Sequence, residues 1–152
     1  MADRLSIEKR INEEIVPIID NTQFLGLDKG NTDRIGLFLF AMALGIKEGK
    51  RTPLRVHDGL ILESSIKSVD GAFSYIFSVL VDELRKINEE DKIDNKQLAF
   101  QIAEEYANTG FLTIEKWLSK INNDDDIEAL RFSLIEEMDE KLQSIVDELA
   151  ED

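Results

Sequence analysis

The sequence predicts an all-α protein: a compact single-domain bundle of about five to six helices around a buried central apolar helix, with a long acidic amphipathic C-terminal helix. Three observations carry this. Ile35 to Ile46 is a run of twelve residues without a charge, lying between a cap signal and a basic turn. Apolar residues recur at three- and four-residue spacing in five other segments. Only two prolines and eight glycines punctuate 152 residues, which favours long helices over many short strands.

In chain order, Ile7, Ile11, Ile15, Ile18 and Ile19 predict an amphipathic helix starting near Ser6, with Pro17 kinking or breaking it near Val16. Asp20 to Gly30 reads as a loop whose Phe24, Leu25 and Leu27 plug back onto the core. Asn31 or Thr32 caps the central helix, and Asp33 sits favourably near the positive end of its dipole. Gly36, Ala41, Ala43 and Gly45 would let neighbouring helices approach closely, and the cap and alanines favour helix over strand. Gly45 or Gly49 ends it, and Pro53 prevents a restart. In Leu54 to Lys67, Asp58-Gly59 is a turn signal, and Leu60 to Leu62 is either extended or the first turn of a helix.

Asp70 should cap a helix with Phe73, Ile76, Phe77, Leu80, Val81, Leu84 and Ile87 on one face, separated by Asn88 to Lys92 from the next helix. Asp94 should cap Lys96 to Asn108, with Asn108-Thr109-Gly110 as its stop, and a shorter helix follows with Ile114, Trp117, Leu118 and Ile121. Asn122 to Asp126 reads as a polar hinge. The last helix carries Ile127, Leu130, Leu134, Met138, Leu142, Ile145 and Leu149, a heptad-like seam that packs on its own domain or joins another chain. The organisation expected is a helical core over 1–122 and the acidic helix over 123–152.

A chain of this length can bury roughly 70% of the surface its unfolded state exposes, and its apolar content of 43% allows a core. The net charge of −14 repels nucleic acid and anionic membranes at long range. Twelve acids and two bases between Asn123 and Asp152 make −10 of it, which leaves −4 for the rest and room for a local basic site. No cysteine is present, so disulfides, thiolate metal sites and cysteine nucleophiles are excluded. The charged N-terminus lacks the apolar run of a signal peptide, and no stretch is long enough to span a bilayer, so the expected location is cytoplasmic.

His57, the single histidine, would need carboxylates as co-ligands for zinc, a poor set, and Ser64, Ser65 and Asp58 form no catalytic signature with it. A loop histidine is the plainer reading. The acidic pairs do not converge on a metal, and Asp124 to Asp126 lacks the alternating ligands and glycine of a calcium loop. No cofactor or metal is expected. Lys47, Lys50, Arg51 and Arg55 put four bases within nine residues, with Gly49 and Thr52 among them, a set suited to a phosphate or an acidic partner. The pattern of a P-loop is absent. Bases at a helix C-terminus also relieve its dipole and pair with a protein's own acids, so both readings stand. Tyr106 and Trp117 are in phase with apolar faces and read as core or rim aromatics.

Three stretches, FLFAMALGIKEGKRTPLR (Phe38 to Arg55), GLILESSI (Gly59 to Ile66) and IAEEYANTGFLTIEKWL (Ile102 to Leu118), together resemble a family of small proteins associated with DNA phosphorothioation (Dnd) defence systems of bacteria and archaea. The resemblance covers roughly Asp33 to Leu118 and leaves out the first helix and the long acidic one. It implies an accessory role near DNA modification or restriction and brings no active-site residues with it.

Four functions follow as expectations. The first is a non-enzymatic adaptor that binds DNA or an acidic partner through Lys47 to Arg55 and a protein partner through the last helix. The second is an acidic nucleic-acid mimic or inhibitor of a basic protein. The third is a structural homo-oligomer, such as a homodimer, joined along Ile127 to Leu149. The fourth is a metal-dependent hydrolase using clustered carboxylates.

Overall fold

A computed structural model describes residues 4–23, 25–26, 31–67, 69, 71–89 and 95–150, the side chains at 31, 32, 62, 141, 142 and 145 excepted. The elements are β1 (Arg4–Glu8), a π-helical turn (Ile11–Ile15), α1 (Val16–Thr22), α2 (Asn31–Glu48), β2 (His57–Leu62), α3 (Glu63–Lys67), α4 (Ala72–Lys86), α5 (Lys96–Leu118) and α6 (Asp124–Ala150). The fold is mostly α, with one antiparallel pair of strands added.

That pair corrects the reading of the N-terminus. Ser6 lies inside a strand, where Leu5 and Ile7 are buried between less buried neighbours, the period-two pattern of a half-covered strand. Ile7 fits helical spacing equally well on paper. The difference is made by β2, which supplies the ladder partner from more than fifty residues away. Asp58 and Gly59 are within β2 and make no turn; the register shifts next to Gly59, where Arg4 lies across the strand in the space a side chain would need. Leu60 to Leu62 takes the extended form.

At Pro17 the helical run continues without a break and changes its winding. Proline has no N–H to close an α-turn, and its ring crowds the carbonyl four residues earlier. Ahead of it the chain widens into a π-turn closed by the Val16 N–H to the Ile11 carbonyl, and α1 follows from Val16. α1 runs to Thr22, further than expected, and Gln23 ends it in the left-handed region at φ 56°. Leu25 packs on the core; Phe24 and Leu27 lie outside the described residues, as do the side chains of the α2 cap.

α2 and α5 form the centre and make the most extensive contact in the protein. They run antiparallel and very close. A Cβ on Gly110 would overlap the Ala41 carbonyl, and one on Gly45 would overlap the Tyr106 carbonyl. Ile35, Leu37, Phe38, Ala41 and Met42 are buried on α2, while Gly36 and Ala43 are exposed. The expected stop at Asn108-Thr109-Gly110 therefore does not occur, and α5 continues unbroken to Leu118. Gly110 tolerates the helical interior because the contact it permits repays its conformational entropy.

The ends of the helices are set by side chains and by left-handed residues. Gly49, at φ 69°, ends α2, with its N–H on Ile46 and that of Lys50 on Gly45. Asn88, at φ 57°, ends α4 in the same way, leaving Ile87 60% exposed and off the core face. Gly71 precedes α4 and Asn95 caps α5 by accepting from the Leu98 N–H; Asp70 and Asp94, the expected caps, lie outside the described residues. Asn122 to Asp126 forms a cap: Asn123 accepts from the Asp126 N–H, and Asp126 accepts from the Asn122 N–H.

Candidate functional site: a clamped basic loop and an exposed acidic helix

The loop from Gly49 to Val56 is held against α5 by that helix's polar residues. Asn108 donates to the carbonyls of Thr52 and Pro53 at 3.1 and 3.4 Å, and the Thr52 and Thr109 hydroxyls are 2.7 Å apart. The Thr52 N–H donates to the Glu105 carbonyl at 3.1 Å. From the other side, the Glu8 carboxylate accepts the N–H groups of Arg55 and Val56 at 2.9 and 3.0 Å. Thr52 and Leu54 turn inward as a result, and Arg51, Pro53 and Arg55 turn out.

The four bases of this region do not act alike. Lys47 is paired with Glu137 of α6, and Arg51 lies 3.7 Å from Glu105. Lys50 and Arg55 are exposed and make no ion pair among the described residues. Internal pairing accounts for two of the four, and anion binding has to start from the other two. Arg55 also borders a cleft of about 300 Å³ shared with Glu8, Arg10, Thr52, Asn108 and Leu112.

A feature that sequence reasoning missed lies on the other side of the loop. Glu104 is only 7% exposed and accepts the Ser6 N–H at 2.5 Å. It opens on a cleft of about 370 Å³ with His57, Gln101, Glu105, Pro53 and Leu54. Burial pushes its carboxyl above the usual range, opposed by the Ser6 N–H and by His57. The signal available was an acid within the apolar sector between Ala103 and Tyr106. No catalytic triad forms around His57: Asp58 instead accepts from Asn12 at 2.9 Å, and adjacent strand residues point to opposite faces. Among the described residues, no three His, Asp or Glu side chains gather as a metal site.

Tyr106 is buried and donates to Glu83 at 2.6 Å, with its hydroxyl pushed up to about 12 by burial and by that carboxylate. Trp117 sits at the rim against Phe40, 6.5 Å between ring centres.

The C-terminal seam divides in two. Ile127, Leu130 and Leu134 pack on the body. Beyond them Met138 and Leu149 are 67% and 69% exposed, and Phe132, Ile135 and Val146 are also exposed. The side chains of Leu142 and Ile145 lie outside the described ones. Apolar grooves of about 270 and 300 Å³ flank Leu134 and Met138, both reaching Phe40 of α2. Two regions marked separately in the sequence thus meet at the Lys47–Glu137 pair.

The family described as DNA sulphur modification system-associated protein 4 matches residues 32–151. The chain belongs to that family. Its family name makes it an accessory protein of a DNA sulphur modification system, in agreement with the resemblance carried by the three stretches. The matched span differs from the expected one at its end, because it includes α6 together with the loop and the Glu104 cleft. No curated protein and no solved structure matches the chain. Among the described residues, no helix of this family member is long and apolar enough to cross a membrane.

Proposed function

We propose that the protein is a non-enzymatic adaptor of a DNA sulphur modification system whose Lys50–Arg55 loop meets a local anionic surface, DNA phosphates or an acidic protein. The observation that carries this reading is a pair of exposed cations that form no ion pair among the described residues, on a backbone clamped by Asn108, Thr109 and Glu8. A loop ordered in advance loses little further entropy when it binds. Lys47 and Arg51, already paired, would contribute only by exchanging partners. The charge of −14 opposes extended contact with nucleic acid, so the engaged surface is small. The Glu104 cleft offers a carboxylate and an imidazole with no nucleophile beside them, which favours an adaptor over a hydrolase.

The test compares wild type with Lys50→Glu/Arg55→Glu in two assays: fluorescence anisotropy with a short duplex at low salt, and co-purification with the modification proteins of the native host. The variant should lose at least about tenfold in one assay, equivalent to about 1.4 kcal/mol, at an unchanged melting temperature. Loss of duplex binding identifies DNA, and loss of co-purification identifies an acidic protein. Equal behaviour in both assays rules the loop out.

A further inference from the structure

We infer that the exposed C-terminal half of the α6 seam is a docking surface for a basic amphipathic helix of a different protein. This does not depend on the loop reading, because it uses other residues and the opposite charge.

The face is apolar and uncovered. Phe132, Ile135, Met138, Val146 and Leu149 are each about half exposed or more, on one helix, within eighteen residues. That span is roughly 27 Å of helix at 1.5 Å per residue. Ile135, Met138, Leu142, Ile145 and Leu149 follow three-four spacing, the sequence pattern of a helix that receives another helix along its length. An uncovered apolar strip of this kind on a soluble domain marks an interaction site. The two grooves beside Leu134 and Met138 continue the strip onto α2, where Phe40 forms part of both linings and would receive apolar side chains from the incoming helix.

Charge selects the occupant. Twelve acids and two bases lie between Asn123 and Asp152, and Asp139 and Glu148 hold positions that directly flank the seam. A second copy of α6 would bring another −10 against the first, so self-pairing is penalised along the whole seam. Anionic lipid and nucleic acid are repelled for the same reason. A helix with a leucine-type stripe and lysines or arginines at its edges satisfies both the apolar strip and the acids.

The probe is a synthetic four-heptad peptide with Leu at the a and d positions and Lys at e and g, titrated into the full-length protein at low and high salt. Two controls accompany it: a scrambled peptide of the same composition, and one with Glu in place of Lys. Wild type should bind the first peptide and neither control, more weakly as salt rises. Ile135→Ser/Met138→Ser/Leu149→Ser and Asp139→Lys/Glu148→Lys should each weaken binding at least about tenfold. Both sets are exposed, so the melting temperature should hold, and Lys50→Glu/Arg55→Glu should bind as wild type does. Four outcomes overturn the inference: no binding by wild type, equal binding of the scrambled peptide, no effect of the serine variant, or a wild-type dimer that the serine variant dissociates. The last of these would make a second copy the occupant.

Discussion

α5 and α6 are the two longest helices, both with apolar residues at helical spacing, and they end in opposite places. α5 buries thirteen of its 23 residues. No residue of α6 is fully buried among those described. Apolar period does not separate them. Small residues do: Ala99, Ala103, Ala107 and Gly110 are all buried on α5, and Gly110 lets it sink against α2, whereas α6 has an acid on nearly every turn and alanine only at 129 and 150. A helix takes the centre when it can be approached closely from several sides, and close approach demands small side chains.

Gly110→Val tests that contrast with the largest expected effect. The new side chain meets the Ala41 carbonyl, a backbone group that cannot move without shifting α2, so a loss of about 3 kcal/mol in urea unfolding is expected. A loss under about 1 kcal/mol would show that the two helices have slack. Asp20→Ala comes next. It strands Arg34, whose paired side chains are only 15% and 9% exposed and whose two bonds are 2.9 and 2.7 Å, at a cost of about 2–3 kcal/mol. Asn108→Ala removes the donor to Thr52 and Pro53 and should cost about 1–2 kcal/mol, with faster amide exchange over residues 49–56 as its signature.

Two acids on α5 sharpen the comparison through pH. Glu104 is raised by burial, so the folded state holds that proton more tightly than the unfolded chain. Stability from this group is present at low pH and falls as pH rises from the unfolded carboxyl value through the folded one. Glu104→Gln keeps an acceptor for the Ser6 N–H and should flatten that fall. Glu115 is lowered, chiefly by its two bonds from Arg10 at 2.7 and 2.8 Å. Its contribution runs the other way, present above the unfolded value and lost as pH falls, and Glu115→Gln should reduce acid sensitivity. Deleting residues 139–152 should have the smallest effect, within about 0.5 kcal/mol in urea unfolding, because described side chains there are exposed. A larger loss would mean that the outer half of α6 supports the body after all.

Much of the fold is legible in the chain because it rests on local chemistry. The charge-free run of α2, the left-handed Gly49 that ends it, the change of winding ahead of Pro17 and the face of α4 each follow from residues within one or two turns. The errors share a cause. Gly110 looks like a stop when α5 is considered alone, Asp58-Gly59 looks like a turn, and Ile7 looks like helix. In each case a partner distant in the chain decides: Ala41 for Gly110, and the opposite strand for the other two. At the candidate site the four bases were visible, but their division was not, since Glu137 and Glu105 are remote in sequence from Lys47 and Arg51. Glu104 was hidden for the same reason, because a carboxylate in a helix reads as solvated until the Ser6 N–H is seen above it.

Local propensity and periodicity are properties of neighbouring residues, so the chain alone specifies a helical protein, the start and end of several helices, and an acidic tail with an apolar seam. Helix continuity through Gly110, pairing of the strands, choice of which cations remain available and exposure of the outer seam depend on close approach between distant segments. Those contacts are worth more than the local preferences they override, and they exist only once the chain has folded.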